Sequence, residues 1–110
     1  MTVFTLLHSK DNRDAAYLGF EISGHAMMAE YGSDILCAAI SSAAYMAANT
    51  VTDVIGAKAS AKARDGYISL HINEPDEYTD VVIKGLHLHM EGLKEQYPNH
   101  IKITDKEGVF

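Results

Sequence analysis

The stretch Lys58-Ala59-Ser60-Ala61-Lys62-Ala63-Arg64-Asp65-Gly66-Tyr67-Ile68-Ser69-Leu70-His71-Ile72 decides the fold class. Two runs suited to extended backbone, 58–64 and Tyr67–Ile72, flank Asp65-Gly66. An Asp-Gly pair between such runs is a strong type I′ hairpin signal. Upstream, residues 34–55 read as a long helix, with Ser33 or Asp34 as N-cap and Gly56 as stop. Its small residues (Ala38, Ala39, Ser41, Ser42, Ala43, Ala44, Ala47, Ala48) let it lie close against a sheet or a second helix. Downstream, Pro75 opens a second helix over 76–96. There Val82, Leu86, Met90 (or His89), Leu93 and Tyr97 recur at helical spacing as its buried stripe. Pro98 and Asn99 break it.

Outside this centre, 2–7 reads as a strand rich in β-branched and apolar residues. Residues 8–14 form a polar turn. The alternation of Tyr17, Leu18, Phe20 and Ile22 marks a second strand over 15–23, paired with the first as a hairpin and ended by Gly24. Residues 26–33, with Gly32, read as a loop, and 101–104 as a last strand. The order β-β-α-β-β-α-β predicts an α+β fold, a mixed β-sheet covered by two main helices, as one domain over 1–110.

The 110 residues are 47% hydrophobic and 22% charged, as in an ordinary soluble protein. No apolar run is read as approaching the roughly 20 residues of a membrane span. No signal peptide is recognised at the N-terminus, and a single cysteine allows no internal disulfide. These features predict a cytoplasmic location and no membrane partner. The net charge of -6 disfavours a nucleic-acid surface, which needs clustered Lys and Arg, and suits a basic partner.

The chemistry concentrates in Gly24-His25-Ala26 and Asp34-Ile35-Leu36-Cys37-Ala38-Ala39-Ile40-Ser41. With the helix starting at Asp34, Cys37 falls in its first turn. A thiol there faces unpaired N–H groups and the positive end of the helix dipole, which favour thiolate, the nucleophilic form. His25, across a loop, is placed to meet Cys37 as a base. Asp34, Cys37 and Ser41 share one helix face. Asp34 either caps the helix or orients His25, and Ser41 is placed to hydrogen-bond near the sulfur. The N–H of Cys37 is a candidate oxyanion donor. On residue type alone, a free cysteine on an alanine-rich helix is equally readable as a small buried hydrophobe. Asp34 is likewise readable as a plain cap, and Ser41 as a packing residue.

These two segments resemble the paired signature motifs of the ribosomal-processing cysteine protease family, Prp, in order, separation and flanking residues. The likeness extends along the chain in length and element order. It implies a catalytic His25–Cys37 dyad, with Asp34 and Ser41 as supporting residues. It implies a substrate: the N-terminal extension of a bacterial large-subunit ribosomal protein, number twenty-seven, cut after an aromatic residue. It also implies a homodimer and no cofactor. The loop over 26–33, carrying Met27, Met28 and Tyr31, is the expected substrate-contacting lid. The rival reading is a non-catalytic binding or chaperone module for a basic ribosomal protein. A thiol redox sensor is a third, opposed by the lack of a resolving cysteine.

The remaining histidines are His8, His71, His87, His89 and His100. His87 and His89 are two apart and point to different faces of a helix, so no metal site is expected. The acidic run 74–77 reads as a helix-start cluster that suits the dipole.

Overall fold

The computed structural model describes residues 1–9, 17–24 and 31–107, the backbone alone for 31–34. The order is β1 (Thr2–His8), β2 (Tyr17–Ser23), α1 (Tyr31–Asn49), a π-helical continuation (Thr50–Ile55), β3 (Ala59–Arg64), β4 (Tyr67–Ile72), α2 (Glu77–Gln96) and β5 (Ile101–Glu107). The five strands form one sheet in the order β3-β4-β2-β1-β5. Both expected hairpins are present, with β1 antiparallel to β2 and β3 antiparallel to β4. β5 runs parallel to β1, so the sheet is mixed and the α+β expectation holds.

Strand alternation assigns the faces. Phe4, Leu6, Phe20, Ile22, Leu70, Ile72 and Ile101 are buried in one core with Leu36, Ile40, Ala44 and Val51 of the first helical segment and Ile83, Leu86, Met90 and Leu93 of α2. Each large member contributes about 1.5–3 kcal/mol on burial. The opposite face carries Thr5, Glu21, Ser69, Lys62 and Thr104, which share one line of register.

Several boundaries differ from the sequence reading. α1 begins at Tyr31, three residues before the expected start, so Ser33 and Asp34 lie inside the helix and neither is its N-cap. Helix therefore replaces the end of the expected 26–33 loop; residues 25–30 lie outside the described residues. Gly56 does end the segment, in the left-handed conformation at φ 76°. The last turns, Thr50–Ile55, are π-helical and rich in β-branched residues. Thr50 and Thr52 also donate their hydroxyls to the carbonyls of Met46 (2.7 Å) and Ala48 (3.1 Å) four residues back.

α2 is not opened by Pro75. Asp76 is its N-cap, accepting from the N–H of Thr79 at 2.9 Å while its own N–H donates to the Thr79 hydroxyl at 2.9 Å. That reciprocal pair satisfies two donors at the helix start. On α2, Leu86, Met90 and Leu93 are buried as expected, Val82 and Tyr97 only partly, and Ile83 is the fully buried residue the stripe had missed. His89 is exposed. β5 extends to Glu107, beyond the expected 101–104, because pairing with β1 continues to His8.

One composition reading is corrected. Ile35–Ile55 is long and apolar enough, by length and composition, to cross a membrane. Leu36, Ile40, Ala44, Ala47, Ala48 and Val51 of this segment are buried in the protein core.

Candidate active site

Cys37 is partly exposed on α1 and lines a cleft of about 270 Å³. Four elements build it, with Thr2 supplied by the start of β1. α1 supplies Cys37, Ile40, Ser41 and Tyr45; the end of β2 supplies Ile22 and Gly24; the β3–β4 hairpin supplies Arg64 through Ile68. Cys37, Ser41 and Tyr45 recur every fourth residue, so one helix face provides thiol, hydroxyl and aromatic ring.

Gly24 fixes the far wall. Its N–H donates to the carbonyl of Gly66 at 2.9 Å, tying the end of β2 to the hairpin turn. It sits at φ 85°, and a Cβ there would lie 2.5 Å from the carbonyl oxygen of Met1. Only glycine meets both conditions without displacing backbone. His25 follows by one peptide bond.

The hairpin wall is stiffened from behind. The Arg64 guanidinium lies 4.3 Å over the Tyr67 ring. The Tyr67 hydroxyl donates to Glu21 Oε2 at 3.2 Å. Lys106 Nζ is 3.1 Å from Glu21 Oε1, and His71 Nε2 is 3.5 Å from Oε2. Burial of the Glu21 carboxyl acts to raise its pKa and is the largest single influence. The Lys106 ammonium, with help from Tyr67 and His71, outweighs it and holds the group below the usual carboxylate range.

The structure thus brings Cys37 and Ser41 to one cleft, beside the residue that precedes His25. His25, Met27 and Met28 lie outside the described residues, and of Tyr31 and Asp34 only the helical backbone is described. One expectation is overturned. Cys37 is the seventh residue of α1, not a first-turn residue. Its N–H bonds to the carbonyl four residues back, as in any helix interior, and the dipole's effect fades within the first turn. The N–H of Cys37 is therefore no oxyanion donor.

Sequence reasoning missed Tyr45, Thr2 and the Arg64–Tyr67 wall. Tyr45 was findable, since it continues the Cys37–Ser41 spacing. The wall was not, because Asp65-Gly66 specifies a turn without saying what the turn faces.

The family model for the cysteine protease Prp matches residues 4–102. The chain belongs to this family. Members of the Prp family are cysteine proteases, and so is this chain. It is 26% identical over 100 residues to the ribosomal processing cysteine protease Prp of Bacillus subtilis, covering 84% of this chain and 89% of that one. Two crystal structures of the ribosomal processing protease Prp from S. aureus share the fold. The complex with a substrate peptide superposes with a TM-score of 0.83 at 16% identity, covering 96% of this chain and 100% of the other. The complex with a covalently linked product peptide gives 0.81 at 17% identity with the same coverage.

Proposed function

We propose that this Prp-family protease removes the N-terminal extension of a ribosomal protein precursor, the large-subunit protein number twenty-seven, through a Cys37–His25 dyad. The observation that carries the reading is that the chain has one cysteine and that it lines the cleft. A cysteine protease with one cysteine has one choice of nucleophile. His25 takes the proton from the Cys37 thiol, and the sulfur attacks the carbonyl after an aromatic side chain. Backbone N–H groups facing the attacked carbonyl hold the oxyanion. His25 returns the proton to the leaving amine, and water, deprotonated by His25, releases the acyl group and regenerates the thiol. Asp34 and Ser41 support the pair, with Ser41 one turn from Cys37 in the same cleft. Met27, Met28 and Tyr31 lie on the segment that contacts substrate.

Relatives support the peptide: the S. aureus protein has been crystallised with a substrate peptide and with a product peptide covalently linked. The net charge of -6 suits a basic ribosomal substrate met in the cytoplasm, and the working form is a homodimer. The test is cleavage of a fluorogenic peptide copied from the ribosomal protein's N-terminus. Wild type cuts it, folded Cys37→Ala does not, and folded His25→Ala cuts it at no more than a trace rate. Binding without cleavage by wild type would return the protein to the rival class, a binding module.

A further inference from the structure

The two outer strands of the sheet are not equivalent. β3 stands at one end of the strand order, with β4 as its one strand neighbour among the described residues. Register decides where its backbone groups point. The N–H of Asn73 donates to the carbonyl of Lys58 at 2.8 Å, so these two form a hydrogen-bonded pair just beyond Ala59 and Ile72. Such pairs alternate along an antiparallel ladder. Ser60, Lys62 and Arg64 therefore bond to His71, Ser69 and Tyr67, while Ala59, Ala61 and Ala63 turn their N–H and C=O groups away from the sheet. Each of the three offers one donor and one acceptor. Their side chains share the core-facing side with Ile72, Leu70 and Ile68, yet Ala61 and Ala63 are exposed, so the helices leave this ledge open. β3 holds no proline, and its register with β4 is unbroken. Its last residue, Arg64, lines the Cys37 cleft, whereas none of the described lining residues belongs to β5, the other outer strand.

We propose that the outer edge of β3 extends the active site, the substrate peptide pairing there as an added strand while its scissile bond lies at Cys37. This rests on the protease reading above. An extended peptide on an exposed sheet edge gains main-chain hydrogen bonds whatever its side chains. The six residues of β3 span about 20 Å, and a chain paired along them and past Arg64 enters the cleft. Charge chooses between a substrate and a second copy of the protein. β3 carries Lys62 and Arg64 on the side away from the helices and has no carboxylate. Two copies joined edge to edge would bring these cations together, and like charges on facing strands destabilise the pairing. A substrate segment with neutral or acidic residues on that side meets no such repulsion.

The test measures binding apart from cleavage, by fluorescence anisotropy of the full-length Cys37→Ala protein with a labelled peptide copied from the ribosomal protein's N-terminus. Ala61→Pro removes an N–H that points outward, which an edge strand tolerates, and leaves the ladder to β4 intact. Added to Cys37→Ala, it is expected to weaken peptide binding about two- to tenfold, as the loss of one hydrogen bond does. With Cys37 restored, KM for the same peptide should rise by that factor, while cleavage of a peptide trimmed to the residues at the cut stays unchanged. Circular dichroism confirms that the variant folds. A second measurement leaves β3 untouched: N-methylating the peptide's amides one at a time should weaken binding at alternate positions, those whose N–H groups turn toward β3. Unchanged affinity in Ala61→Pro, or equal tolerance of N-methylation at every position, would overturn the proposal. So would a dimer that Ala61→Pro dissociates without changing peptide affinity, since the edge would then join two copies. If wild type cuts no peptide, the protease reading fails, yet alternate-position sensitivity in binding would still support the added strand.

Discussion

The N–H of Gly24 donates to the carbonyl of Gly66 at 2.9 Å, across the gap between the end of β2 and the β3–β4 turn. This backbone bond continues the β2–β4 ladder past its last pair, Ser23 with Tyr67. It closes the cleft opposite Cys37 and sets where the chain departs toward His25.

Gly24→Ala is expected to damage stability and activity together. The φ of 85° strains any L side chain by about 1–3 kcal/mol. The new methyl would also press on the Met1 carbonyl oxygen. Urea denaturation should show the loss. At temperatures where the variant remains folded, kcat/KM should still fall, because the proposed base, His25, sits one residue from the change. Full activity in the folded variant would show that Gly24 does not position the dyad.

The roles proposed for Cys37 and His25 separate by the size of their effects. Removing a general base lowers rate about 10²–10⁴-fold, so His25→Ala should retain a trace of peptide cleavage. Cys37→Ala should retain none above background, since no second thiol exists to replace it. Single-turnover cleavage with high enzyme concentration measures both. Equal, complete loss in both variants would mean that His25 does more than move a proton.

The hairpins were legible because Asp65-Gly66 and the period-2 alternation of 15–23 are local signals. The parallel pairing of β5 with β1 was not, because a short strand says nothing of its neighbour. The start of α1 was misread for a specific reason. Gly32, Ser33 and Asp34 resemble a helix entry, yet the helix already runs from Tyr31. That three-residue shift moved Cys37 from the first turn into the second and removed the reasoning that made its own N–H an oxyanion donor. The pair of motifs stayed recognisable because it depends on order and flanking residues, not on where the helix begins.

The buried face of α2 is tested by mutation. Ile83 is fully buried and His89 exposed. Ile83→Ala should cost about 2–5 kcal/mol through lost burial and a residual cavity. His89→Ala should stay within about 0.5 kcal/mol of wild type. Thermal unfolding of both variants checks the assignment. A large loss at His89 would mean that the face it occupies is covered in solution.

Glu21 supplies a pH dependence whose sign follows from its environment. Its folded carboxyl titrates below the unfolded value, near 4.5, because Lys106, Tyr67 and His71 together overcome its burial. A group depressed on folding adds stability above the unfolded pKa and loses it as pH falls through the folded one. Wild type should therefore exceed Glu21→Gln in urea midpoint at neutral pH, and the gap should close below about pH 4.5. Lys106→Ala should reproduce part of the neutral-pH loss, about 0.2–1 kcal/mol for a half-exposed pair. Because Tyr67 donates to Glu21 and carries Arg64 on its ring, the neutral-pH variants should also cleave peptide less efficiently. A gap that stays constant from pH 7 to pH 3 would show that Glu21 acts by shape rather than charge.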